Sequence, residues 1–106
     1  MAFVKVIGSA RVLPGRVAVG RVGVRQVAVT RIDGRLFAFA NACPHAGSPL
    51  SGGRLSGTCI ECPRHGWRFD LASGACLDQE LYSLRTYPVR EAEGWVEVDA
   101  DDGSIW

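Results

Sequence analysis

Two short segments, Cys43-Pro44-His45 and Cys62-Pro63-Arg64-His65, each carry one thiol and one imidazole. Written as one pattern they read C-x-H-x16-C-x2-H. The pattern constrains the fold, because its two halves can serve one metal centre only if two separate loops are brought together. Two kinds of centre take two thiolates and two imidazoles. An iron–sulfur cluster can place the thiolates on one iron and the imidazoles on the other, whereas a structural zinc ion gathers all four at one tetrahedral point. Zinc sites normally use C-x2-4-C and H-x3-5-H pairs. Here each half mixes Cys with His, which favours two metals. Both histidines of the chain belong to the pattern, so neither is left over for acid–base work.

Around these segments the chain reads as β-structure. Valine-rich stretches separated by glycine predict strands over Phe3 to Ile7, Arg16 to Val19, Val27 to Ile32, Arg35 to Ala40 and Trp95 to Val98. Asp33-Gly34 is the strongest hairpin signal, since both residue types tolerate the positive φ of a tight two-residue turn. It sends the following strand towards Cys43. Apolar parity changes within Val22 to Val29, which predicts a bulge or strand break at Arg25-Gln26. Alternation vanishes between Asn41 and Gly57 and resumes over Thr58 to Cys62, so each Cys/His pair is expected on a loop tip. Arg68-Phe69-Asp70 restarts extended structure, Ala72-Ser73-Gly74 reads as a turn, and Tyr87 to Arg90 as an edge strand leading through Glu93-Gly94 to the last strand. Gln79 to Arg85 fits no pattern, and no helix longer than a turn is predicted.

A chain of 106 residues is expected to form one domain with room for one site. There is no run of 18 apolar residues to cross a membrane and no secretory pattern at the start, so a cytoplasmic location is the default expectation. In that reducing compartment Cys59 and Cys76 are read as small buried hydrophobes without a role. Net charge is only +1, yet residues 1–68 hold ten of the twelve basic groups and residues 69–106 nine of the eleven acidic ones. The halves form either a dipole or a pair that neutralises itself where first and last strands meet. Basic residues are scattered singly, without aromatic stacking partners, so nucleic-acid binding is not expected. No glycine-rich nucleotide fingerprint or mononuclear-iron triad is present, and catalysis by the chain alone is not expected.

Residues 41–75, NACPHAGSPLSGGRLSGTCIECPRHGWRFDLASGA, resemble the cluster-binding segment of Rieske 2Fe-2S proteins, and the flanking strands extend the likeness over nearly the whole chain. The resemblance implies an all-β fold, an antiparallel β-sandwich or barrel over residues 1–106 with a small cluster-binding subdomain at about 41–75. It implies one 2Fe-2S cluster per chain, with Cys43 and Cys62 on the inner iron and His45 and His65 on the outer, solvent-facing iron. High-potential members resemble C-x-H-x-G-C and C-x-C-H-G-S-x-Y, with a disulfide between the loops and serine and tyrosine hydroxyls aimed at sulfur. The corresponding positions here hold Ser48, Arg64, Trp67 and Phe69. Fewer hydrogen bonds to sulfur leave the reduced cluster less stabilised, so a potential near the low end of the range, about −150 mV, is expected.

By that resemblance the chain is a monomeric electron carrier rather than an enzyme. It is similar to ferredoxins that take electrons from a flavin-dependent NAD(P)H reductase to the terminal oxygenase of an aromatic-ring dioxygenase system. A second family member of similar size, the Rieske-type small subunit of NAD(P)H nitrite reductase, shares the stretch after the second histidine. A zinc-stapled binding module is the third possibility left open by the ligand set.

Overall fold

The computed structural model describes residues 2–100. Ten strands in three antiparallel sheets account for its regular structure, apart from one 3₁₀ turn at Ser9–Arg11. The central sheet has the order β2-β3-β4-β8, formed by Val17–Val22, Arg25–Ile32, Arg35–Ala40 and Thr86–Tyr87. Asp33 and Gly34 adopt φ of 51° and 80° between the paired residues Ile32 and Arg35. That conformation matches the right-handed twist of the strands it joins.

β3 and β4 lie between two cores, and period-two alternation sorts their side chains. Ala28 and its partner Phe39 face one side together with Phe37, while Val29 and its partner Ala38 face the other with Val27. On the second side lies a sheet of order β1-β10-β9, built from Val4–Gly8, Trp95–Val98 and Val89–Ala92. Val96 and Val98 fill that core with Val27 and Val29. Thr30, the polar residue of the buried run, is satisfied by donating its hydroxyl to the Arg16 carbonyl at 2.7 Å.

The first core instead supports the third sheet, β5-β6-β7, made of Arg54–Ser56, Cys59–Glu61 and Arg68–Asp70. Leu50, Ile60, Phe69 and Leu71 from this region pack with Phe37, Phe39 and Ala28 beneath it. Cys43 and Cys62 are members of the same core. Phe69, Phe39, Ile60 and Leu50 are wholly buried, and truncating such a phenylalanine to alanine costs about 3–5 kcal/mol. The layer carrying the two loops is therefore welded to the central sheet by apolar packing.

Two expectations shift by a few residues, for identifiable reasons. The break expected at Arg25-Gln26 falls at Gly23-Val24, where Val22 still pairs with Arg25 across a tight turn. The parity change arises because β3 is buried on both faces, so apolar residues are required at both phases. The expected single strand Tyr87 to Arg90 is two strands in different sheets, with Thr86–Tyr87 on β4 and Val89–Ala92 on β10. Pro88 stands at the crossover, where its missing N–H cannot continue a ladder. The charged halves meet at Arg31–Glu91, a two-pronged pair at 3.1 and 3.2 Å, and at Arg68–Asp78. β1 pairs β10, and the neutralising arrangement is the one observed at these contacts.

Candidate metal centre

The loops Cys43–Ser48 and Cys62–Trp67 are one backbone design used twice. In each, the Cys N–H donates to the carbonyl of the sixth residue, Ser48 at 2.7 Å and Trp67 at 2.7 Å. The glycine at the fifth position donates back to the Cys carbonyl, Gly47 at 2.7 Å and Gly66 at 2.9 Å. Both glycines hold the left-handed conformation this closure demands, with φ of 75° and 76°. The backbone N–H groups of the third and fourth residues then converge on the sulfur: His45 and Ala46 on Cys43, Arg64 and His65 on Cys62. Such a cradle of N–H groups favours negative charge on sulfur.

The two thiols lie inside, at 1% and 0% exposure, within hydrogen-bonding reach of each other. Their environments differ in sign. Burial pushes the Cys43 thiol up, and its neighbour Cys62 adds to the rise against the loop N–H groups. Cys62 feels burial as its largest single influence as well, but the N–H groups of Arg64 and His65, the Cys43 thiol and the Arg64 charge together hold it below the ordinary cysteine value. Of the two, Cys62 is the readier to become a thiolate.

The imidazoles lie outside the thiols, on the exposed tips. Their Nδ1 atoms face each other 3.4 Å apart, with the rings edge to face at 86°. Metal–imidazole bonds of about 2.0–2.1 Å meeting near the tetrahedral angle hold two nitrogens about 3.3–3.4 Å apart. The spacing of the histidines is that of two ligands on one metal. Among the described residues, no three of His, Cys, Asp and Glu gather at a single point; the four donors stand as a buried sulfur pair and an exposed nitrogen pair. That division fits a two-metal cluster.

Several residues that shape the site have no local sequence signature. Asn41, buried at the end of β4, donates its amide to Gln26 Oε1 at 3.0 Å and accepts the Ser51 N–H at 2.8 Å, tying the first loop to β3. Trp67 lies 4.4 Å from the His45 ring, and Tyr82 lies 5.0 Å from Trp67. Tyr82 comes from the stretch Gln79 to Arg85 that no pattern explained. Of the four positions where high-potential relatives carry a disulfide and hydroxyls, Phe69 is fully buried among the apolar side chains that enclose both thiols and Trp67 is partly buried. Ser48 and Arg64 bring no second thiol to the loops.

Residues 2–88 match the family described as Rieske [2Fe-2S] domain. The chain belongs to the Rieske family. Its cofactor is accordingly a 2Fe-2S cluster, which decides against the zinc reading. The ferredoxin component of the naphthalene 1,2-dioxygenase system of Pseudomonas putida is 32% identical over 89 residues, covering 83% of this Rieske chain and 86% of the relative. The ferredoxin of Sphingomonas yanoikuyae B1 superposes with a TM-score of 0.83 at 34% identity, over 92% of this chain and 98% of that one. A ferredoxin–oxygenase complex of carbazole 1,9a-dioxygenase gives a TM-score of 0.80 at 33% identity, over 91% of each chain. A protein described as the NADH-dependent nitrite reductase small subunit of Mycobacterium tuberculosis reaches 0.82 at 28% identity, over 92% of this chain and 93% of that one. These ferredoxins are electron-carrying components of multicomponent systems, not the catalytic oxygenases.

Proposed function

We propose that this chain is a soluble Rieske ferredoxin, passing single electrons from a flavin-dependent NAD(P)H reductase to a terminal oxygenase. In this reading residues 1–106 form one Rieske domain, with a cluster-binding subdomain at about 41–75. Cys43 and Cys62 ligate the inner iron and His45 and His65 the outer. The observation that carries it is the pair of exposed imidazoles, 3.4 Å apart at Nδ1, above a buried pair of thiols. When bound, the cluster takes up and returns one electron.

The chain's own residues supply the rest. The thiols are buried, so sulfur ligation is shielded from water. Nδ1 of each ring would hold the outer iron, and the exposed imidazoles of His45 and His65 would give a docked partner its approach to it. A monomeric state and a cytoplasmic location belong to the same proposal. Among the described residues no helix is long and apolar enough to cross a membrane.

The test is reconstitution with purified components. Two irons and two acid-labile sulfides per chain are expected, with one-electron reduction by a flavin-dependent NAD(P)H reductase and reoxidation by a ring-hydroxylating oxygenase. A second reading, the small subunit of a nitrite reductase, draws on the structural likeness to the mycobacterial protein. It requires co-purification with a large reductase subunit, and a chain that is inert without that subunit would replace the carrier reading with this one.

A further inference from the structure

We infer that Tyr82 is a positioning residue for His45, acting through Trp67. The inference rests on His45 being a ligand, as proposed above. A ligating imidazole works in a fixed orientation, usually set by a hydrogen bond from its second nitrogen. His45 is braced by rings instead. Trp67 lies over it at 4.4 Å, tilted 38°, and Tyr82 stands edge-on at 6.2 Å and 87°. Tyr82 also meets Trp67 at 5.0 Å, so the three rings close a triangle and neither of the two around His45 is supported alone. His65 meets the His45 ring edge to face.

The segment bearing Tyr82 is held at both ends. Asp78 accepts Arg68 Nη2 at 2.9 Å through one oxygen, and Arg68 Nε and backbone N–H at 3.2 and 2.8 Å through the other. The Leu77 N–H donates to the Arg68 carbonyl at 2.8 Å, and the Leu84 N–H to the Gly74 carbonyl at 2.7 Å. Gly74 is required at that second anchor, because its φ is 83° and a Cβ would strike the Leu84 carbonyl. Between the anchors Leu81 is 96% exposed while Tyr82 is 37% exposed. Burying the more apolar leucine would be the cheaper packing choice, yet the segment spends its inward position on the aromatic ring beside Trp67. This arrangement flanks one side of the His45 ring, which stays exposed on the other.

Reduction adds one negative charge to the cluster, and water stabilises the more charged form, so opening the side of His45 that Tyr82 flanks raises the midpoint potential. Tyr82→Ala is expected to change the ratio of reduced to oxidised protein two- to fivefold at fixed potential, about 18–41 mV at 59 mV per tenfold. The electron paramagnetic resonance lines of the reduced protein should broaden as the ring gains orientations. Tyr82→Phe restores both readouts, since the contact uses the ring and not the hydroxyl. Asp78→Ala gives a smaller shift in the same direction, and Leu81→Ser gives none. Unchanged potential and line shape in both Tyr82→Ala and Asp78→Ala, with the cluster retained, overturn the inference, as does a Tyr82→Phe protein that behaves like Tyr82→Ala. If Tyr82→Ala does not fold, Asp78→Ala alone decides. A His45→Ala protein that keeps a Rieske-type spectrum would instead refute the ligand assignment, which separates the two failures.

Discussion

The loops Cys43–Ser48 and Cys62–Trp67 share every backbone hydrogen bond described above and differ in what they carry. Histidine occupies the third position of one and the fourth of the other, yet the two Nδ1 atoms meet at 3.4 Å. The cysteines occupy the same first position, yet Cys43 is pushed up and Cys62 held down. A repeated backbone therefore fixes where sulfur sits and how it is cradled, while a one-residue displacement decides where nitrogen arrives. The charge of Arg64, which loop one lacks at its third position, helps separate the two thiols.

The sharpest way to break this comparison is to make the loops alike. Combining His45→Ala with Ala46→His moves the first imidazole to the fourth position, and the cluster should be lost, with iron and sulfide analysis falling from two of each per chain to near none. Retention of both irons would show that the offset between the loops is immaterial. Next in size, Gly47→Ala and Gly66→Ala each force an alanine into the left-handed region, costing about 1–2 kcal/mol per site. A Cβ at either glycine meets open space, so the two costs should be equal in chemical denaturation of the holoprotein. Unequal costs would mean that the loops are not energetically equivalent.

A third variant sharpens the difference in surroundings. Trp67→Ser with Phe69→Tyr supplies the two hydroxyls found in high-potential relatives, and redox titration should show a rise from about −150 mV. Phe69→Tyr alone isolates sulfur bonding from the loss of the ring over His45. No rise in either protein would remove hydroxyl tuning as the reason for a low potential. The smallest effect is one of pH, and two of the groups that carry it are Asp70 on β7 and Asp78 beyond it. Asp78 lies below the ordinary carboxylate range because of its Arg68 hydrogen bonds, and Asp70 because of Ser73 foremost and then the Ala72 N–H and Thr58. Folded values below unfolded ones mean that this stabilisation is complete above the unfolded carboxylate range, near pH 4, and is lost as pH falls through the lower folded values. Acid denaturation should therefore show a flat plateau at neutral pH, and Asp78→Asn should move the acid midpoint slightly upward.

The strands were legible where alternation and turn chemistry agreed. Arg35–Ala40, Arg68–Asp70 and Trp95–Val98 begin and end where the pattern predicts, and Asp33-Gly34 makes the expected turn. Legibility failed where burial on two faces erased the alternation, as in β3, and where one proline passed the chain between sheets, as at Pro88. It failed most completely over Gln79 to Arg85. Nothing within that stretch encodes its place, because it is fixed by Asp78 on Arg68 and by Leu84 on Gly74, contacts made to other parts of the chain.

The sequence by itself determined the two Cys/His pairs and the two loops, because spacing, proline and glycine are local properties that a short segment carries wherever it is put. It also determined which hydroxyls and disulfide are missing. Only the tertiary structure decided that the imidazoles stand 3.4 Å apart, that one thiol is readier to ionise than the other, and that Tyr82 and Trp67 flank His45. Those outcomes depend on how distant segments are packed against a shared core, and no residue states that alone.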